Sequence, residues 1–271
     1  MRATLPAVLL LLTACDSMPK AAQPRINVSP YFAAYRLGGK IGMQDRLPSG
    51  TPDNSKQSLR SMGLDRYEDD YGIRTDFGDG TSGVRAEWYR LSMHPTDSGV
   101  LSDDFGALPA GSTVQTGATM DEFRVGYLHE VWVGHGGPTN SLFEIRIAAG
   151  GVLAHRSLDL DVEETSGGLR QDLSLDDRGV LYPAAHFHAS RQSFAIDLDY
   201  AISPNLQFGG DYGGIFQDIE ARISYTVPFQ DISLFAGYRF STLPLDGGSG
   251  GLDVDGNLRL DGVQLGVTVT F

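Results

Sequence analysis

Val263-Gln264-Leu265-Gly266-Val267-Thr268-Val269-Thr270-Phe271 is the last stretch of the chain, and its alternation decides the fold. Apolar side chains at 263, 265, 267, 269 and 271 interleave with small or polar ones, a period of two, which is the pattern of a β-strand with one apolar face. Working back from it, the same alternation recurs. Ile219, Ala221, Ile223, Tyr225 and Val227 oppose Asp218, Glu220, Arg222, Ser224 and Thr226. Ile232, Leu234, Ala236, Tyr238 and Phe240 oppose Ser233, Gly237 and Arg239, with Phe235 on the polar side. Phe194, Ile196, Leu198, Tyr200 and Ile202 oppose Asp197 and Asp199; Phe143, Ile145 and Ile147 oppose Glu144 and Arg146; Tyr71, Ile73 and Phe77 oppose Arg74 and Asp76. His129 falls with Phe123, Val125 and Tyr127 on an apolar face. Leu258 and Leu260 are out of phase with 263–271, and a bulge near Asp261-Gly262 is expected to reset them.

Ten strands are predicted: 27–37, 70–78, 82–92, 120–133, 141–153, 180–189, 193–203, 216–227, 231–243 and 257–271. The connections alternate long and short, and the short ones carry turn residues such as Gly78-Asp79-Gly80, Gly136-Gly137-Pro138 and Pro228-Phe229-Gln230-Asp231. That order predicts an all-β, up-and-down antiparallel barrel of ten strands, with eight or twelve as the neighbouring solutions. All long loops then lie at one rim, with both termini at the other, as in transmembrane barrels. Alternation alone does not say which face is outside, since a soluble lipocalin-like barrel shows the same pattern inverted.

The front end reads Met1-Arg2-Ala3-Thr4-Leu5-Pro6-Ala7-Val8-Leu9-Leu10-Leu11-Leu12-Thr13-Ala14-Cys15. A basic residue followed by an apolar core too short to span a membrane reads as a secretory signal. Leu12-Thr13-Ala14-Cys15 resembles the lipobox of bacterial lipoproteins, which implies a lipid on Cys15, the only cysteine, and excludes an internal disulfide. Asp16 resembles an inner-membrane retention signal of enterobacterial lipoproteins, although a barrel would be sorted by its strands. The expected organisation is a removed signal at 1–14, a lipidated tether at 15–25 and a barrel at 26–271. A net charge of −13 excludes a nucleic-acid partner, because phosphate binding needs a basic face. Lysine occurs only at 20, 40 and 56, which is odd for a soluble β-sandwich with exposed edges.

With these features in place, the chain resembles small bacterial outer-membrane barrels of the outer-membrane-protein-A-like or opacity-like kind, carrying a lipoprotein front end. The resemblance rests on the hairpin pattern of Ile219–Tyr225 with Leu234-Phe235-Ala236-Gly237-Tyr238-Arg239-Phe240 and on the terminal Phe271, which in such barrels belongs to the signal read by the insertion machinery. It implies an outer-membrane location with the lipid on the periplasmic side and the long loops extracellular. It also implies membrane lipids and the insertion machinery as partners, with a monomeric state and no cofactor. Members include adhesins, anchors, pores and lipid-modifying enzymes, so membership does not fix function.

The polar faces define the candidate site. Arg74, Asp76, Arg85, Glu87, Arg124, Glu130, Glu144, Arg146, Asp197, Asp199, Asp218, Glu220, Arg222 and Arg239 are expected inside. A ten-stranded lumen is narrow, so these charges are expected to pair into a plug rather than line a pore. His186 and His188 face inward, and a turn at Arg191-Gln192 would set His186 opposite Asp197; His186, His188 and Asp197 are the weak candidates for a metal. His188-Ala189-Ser190 resembles the His-x-Ser of outer-membrane lipid A deacylases, with Arg191 where that family has Asn, and no other catalytic motif occurs. Asp253-Val254-Asp255-Gly256-Asn257 has calcium-loop spacing without the distal Glu. Asp159, Asp161, Glu163, Glu164, Asp172, Asp176 and Asp177 are expected in an acidic surface loop. The reading is a non-catalytic, charge-plugged barrel with a structural or surface-interaction role through acidic loops; a small pore, an envelope-lipid enzyme and a tethered soluble barrel are the alternatives.

Overall fold

A computed structural model describes residues 25–45, 55–64, 66–79, 81–136, 143–203, 215–249 and 252–271. The signal, Cys15, Asp16 and most of the tether lie outside the described residues, as does most of the 204–215 connection. The strands are β1 (Arg25–Asp45), β2 (Gln57–Ser58), β3 (Tyr67–Gly78), β4 (Gly83–Met93), β5 (Ser98–Val100), β6 (Thr113–Gly136), β7 (Phe143–Glu164), β8 (Arg170–Arg191), β9 (Phe194–Ser203), β10 (Phe216–Thr226), β11 (Ile232–Ser249) and β12 (Leu252–Thr270). Ten of them form a ring in which each pairs antiparallel with its neighbours, and β1 closes on β12. The seam ends where Ile26 and Phe271 exchange both backbone hydrogen bonds, at 2.8 and 3.2 Å. The short strands β2 and β5 sit against β1 and β6 at the opposite end, beside a 3-10 turn at Leu59–Met62.

Gly80 and most of the Gly136-Gly137-Pro138 turn lie outside the described residues; the described turn residues behave as their chemistry dictates. The Asp79 side chain accepts from the backbone N–H groups of Thr81 and Ser82, at 2.9 and 2.6 Å, an Asx cap on the β3–β4 turn. Phe229 takes a left-handed conformation, φ 64°, between β10 and β11. The β8–β9 turn lies at Gln192-Ser193, not Arg191-Gln192, with Arg191 opposite Phe194.

Several strands run far beyond the predicted ends. β6, β7 and β8 are 24, 22 and 22 residues long, about twice the 9–11 that cross a bilayer. Most of the predicted loop at 154–179 is therefore β7 and β8 continuing as a paired ladder, and the described part of 244–256 is β11 and β12 doing the same. The acidic run from Asp159 to Asp177 lies on this ladder, not on a loop.

The reason these segments escape a simple alternation reading is that the faces exchange character along a strand. On β12, Val263 and Leu265 are exposed outward while Gln264 is buried inward; six residues earlier Asn257 and Arg259 face out while Leu258 and Leu260 are fully buried inside. The register against β1 and β11 is unbroken throughout. The bulge expected at Asp261-Gly262 is absent: the phase never changes, only the polarity of each face. β4 repeats this, with Val84, Ala86 and Trp88 outside over Arg85 and Glu87, then Arg90 outside over Leu91 and Met93. So does β7, where Phe143, Ile147 and Leu153 give way outside to His155, Asp159 and Asp161, over buried Leu158, Leu160 and Val162. Bulges do occur elsewhere: Val131 is the extra residue on β6, and Arg178 and Gly179 of β8 share one partner position on β7.

The barrel therefore has two storeys. The one nearer the tight turns carries an apolar outer belt, 11 residues deep on β7, or roughly 25 Å once the strands tilt, with Tyr67, Tyr71, Tyr238 and Trp132 among its exposed aromatics. The other, here called the crown, is polar outside and apolar inside.

Candidate functional site: a stratified lumen

From the tight-turn end inward, the lumen begins as an open vestibule of about 320 Å³ lined by Asp76, Arg85, Glu144, Arg146, His186, His188, Asp197, Asp199, Arg222 and the small polar residues of β1, β10, β11 and β12. Glu144 and Arg146 form a rim pair with each other, and Arg146 reaches Glu130 at 3.5 Å. His188 Nδ1 lies 2.7 Å from Asp197 and His186 Nδ1 2.8 Å from Asp199. The pairing differs from the expected His186–Asp197 opposition because the turn sits one residue later, which moves the register by two.

Deeper lies an ionic tier. Arg74 bridges Glu220 at 2.6 Å and Glu87 at 3.3 Å; Arg85 binds Asp76 at 2.5 Å and Asp199 at 2.7 Å. Arg239, fully buried, spans Glu122 at 3.0 Å and Asp218 at 3.1 Å. Arg124 contacts both of these carboxylates, and Arg156 contacts Glu122. Arg222 pairs with Glu220 at 2.9 Å and lies over the Phe235 ring at 4.5 Å, which explains an aromatic on the polar face. Tyr31 donates to Glu87 at 2.9 Å. Charges taken this far from water persist only when such partners offset the lost hydration.

Next comes an aromatic tier. Arg239 stacks over Tyr89 at 4.5 Å and Arg156 over Phe216 at 4.3 Å. Tyr35 meets Tyr89 edge-on at 5.7 Å, and Tyr182 packs on Phe216 at 4.5 Å. The guanidiniums thus join the charged tier to the apolar one through ring faces. Beyond them the crown is packed solid with Leu37, Ile41, Met43, Leu91, Met93, Leu158, Leu160, Leu173, Leu175, Leu258 and Leu260. Leu59, Met62 and Leu64, with Leu101, Phe105 and Leu108, fold over it from the β1–β3 and β4–β6 connections and are buried to 1% exposure or less.

Every residue expected in the lumen points inward. Two members of the network were missed. Glu122 continues the alternation of Arg124 and was legible; Arg156 fell in a segment read as loop, because its strand had already exchanged polarity. The Asp253–Asn257 run is strand, with Val254 buried between exposed Asp253 and Asn257, and Asp255 pairs with Lys56 at 2.7 Å, so it is not a calcium loop. Ser190 lies on β8 beside Ala195, two residues from a His188 whose Nδ1 is engaged by Asp197.

No protein-family model matches the chain, and no curated protein matches it either. Among solved structures, the attachment invasion locus protein Ail of Yersinia pestis aligns over 92% of this chain and 99% of its own, at 10% identity and a TM-score of 0.37. A Pseudomonas aeruginosa FadL homologue aligns over 92% and 90% at 10% identity and 0.30. The toluene transporter TodX of Pseudomonas putida aligns over 92% and 90% at 9% identity and 0.26. Overlaps of this size transfer neither architecture nor activity; the barrel stands on its own strand pairing.

Proposed function

We propose that the chain is an outer-membrane barrel, held by a lipid on Cys15 as well as by its strands, whose lumen is sealed and whose role is to present a rigid, acidic β-crown at the cell surface. The observation that carries this reading is the exchange of faces along unbroken strands. An apolar belt of bilayer height over a polar interior is what lipid requires. A polar exterior over an apolar core is what water requires. One strand satisfies both only if it passes from one solvent to the other partway along.

Two features oppose a pore. The ionic tier crosses the lumen with charges bound to one another, and the apolar core of the crown fills the path beyond it. Surface interaction through the crown is the function this construction supports, with the outward Asp159, Asp161, Asp172 and Asp176 providing an acidic face. The test has two parts. On unboiled SDS gels the protein extracted from outer membranes is expected to migrate differently than after boiling. In planar bilayers it is expected to be silent. A band that does not shift on boiling, released without detergent once the lipid is cleaved, would refute the membrane barrel; reproducible unitary conductance would refute the seal.

A further inference from the structure

The vestibule holds one set of side chains that the ionic tier does not explain. Asp199 is clamped by Arg85 at 2.7 Å and Arg74 at 3.7 Å and is an acceptor only, so the Nδ1 of His186, 2.8 Å away, donates to it. In its neutral form the His186 ring then carries its lone pair on Nε2. His186 is 2% exposed, and Nε2 is buried without a hydrogen-bond partner. What faces it is Asp197 Oδ1 at 3.6 Å, a second acceptor. Two lone pairs opposed in a buried site repel, and either a metal ion between them or a proton on Nε2 relieves this, which the metal titration distinguishes.

The spacing fits a metal ion. A distance of 3.6 Å is too long for a hydrogen bond. It is close to the ~3.4 Å that separates two ligands on one tetrahedral ion with bonds of about 2.1 Å. His188, with its ring centroid 6.4 Å from that of His186, hydrogen-bonds the same carboxylate through Nδ1 at 2.7 Å, and a bound ion would replace that hydrogen bond. One ligand atom from each of His186, His188 and Asp197 lies within 4.8 Å of the others. The arrangement Asp199–His186–ion is the carboxylate–histidine–metal relay in which an outer carboxylate orients a ligating ring. The vestibule leaves room for water as a further ligand.

We propose that His186, His188 and Asp197 form a site for a divalent first-row transition metal, Zn²⁺ being the natural occupant of two imidazoles and a carboxylate, with Asp199 as its positioning residue. This goes beyond the surface role and does not depend on it, since the site opens at the tight-turn rim whichever compartment that rim faces.

Full-length protein folded in detergent, stripped with a chelator and dialysed, is titrated with Co²⁺ and then Zn²⁺. One equivalent of Co²⁺ should give a visible d–d band that Zn²⁺ displaces. His188→Ala and Asp197→Asn should each weaken binding at least ~10-fold, and Asp199→Asn by roughly 10-fold, while His129→Ala, on the outer face, should change nothing. His188 and Asp197 are about a quarter exposed at the vestibule, at 24% and 23%, so truncation there leaves no sealed cavity; an unboiled gel shift confirms folding of each variant. Zinc-edge X-ray absorption on the wild type gives a readout that needs no variant, with two imidazoles expected. Absence of stoichiometric binding would overturn the site. So would an absorption spectrum with fewer than two imidazoles, or binding that survives both substitutions unchanged.

Discussion

At the scale of single residues, the interior sorts charges by how completely they are enclosed. Arg239 is 0% exposed, and three interactions converge on it: Glu122, Asp218 and the Tyr89 face. Replacing it by Ala leaves two buried carboxylates short of a cation. Arg239→Ala is therefore expected to cost about 3–5 kcal/mol in reversible urea unfolding from lipid vesicles. Arg259 offers the contrast. It pairs with Asp261 at 3.1 Å but is half exposed on the outer wall, so Arg259→Ala should cost less than ~1 kcal/mol. Equal costs would mean that the ionic tier is hydrated throughout, and that the lumen is open. Phe235 also faces inward with the register unbroken, and there its ring lies against the Arg222 guanidinium.

At the scale of the element, β12 shows what a sequence discloses and what it conceals. Val263 to Phe271 announces a strand with an apolar outer face, and the ten-strand order, described turns and inward charges follow from similar stretches. An alternation rule that keeps one face apolar along a whole strand hides the crown. Leu258 and Leu260 then looked like a register error, and Leu158, Leu160, Leu173 and Leu175 looked like loop residues. Arg156 and the aromatic tier were lost with them. The signal was present in each case as unbroken period-two alternation whose apolar phase moves to the other face, a change of solvent rather than of structure. Of the metal candidates, the residues were visible, but the pairing with Asp199 depended on a turn position one residue from the expected one. The exchange of faces makes a prediction that a single-solvent barrel does not. Leu260→Ala should destabilise by about 2–5 kcal/mol through the cavity it leaves, while Leu265→Ala, exposed on the outer belt, should cost about 1 kcal/mol or less. Leu265→Arg should cost roughly 2–4 kcal/mol in vesicles, since the residue lies within the apolar belt. Similar losses for both alanine variants would sink the two-storey account.

At the scale of the whole molecule, the remaining question is which storey faces outward, and the chain supplies its own reporter. Arg25 and Phe271 both lie at the tight-turn rim. A lipid on Cys15 would be ten residues from the start of β1, and a tether carrying Asp16, Lys20 and Gln23 would not cross a hydrocarbon core, so the lipid and that rim would belong to the same leaflet. Periplasmic turns are short in such barrels, and polar crown segments that have crossed a bilayer would not readily return. The crown is therefore expected outside. Cys15 is the only cysteine. If its sulfur carries a lipid, the wild type should take up no maleimide even when denatured, and that blank background makes single-cysteine variants readable. Asp159→Cys, exposed on the crown, should label in intact cells with an impermeant maleimide. Gln230→Cys, exposed in the turn between β10 and β11, should label only after the outer membrane is permeabilised. The reverse pattern would place the acidic crown in the periplasm, where it would meet envelope proteins rather than the exterior. A wild type that labels on denaturation would instead remove the lipid and leave the strands as the sole anchor. The two results separate because one reads the crown and the turn, and the other reads Cys15 alone.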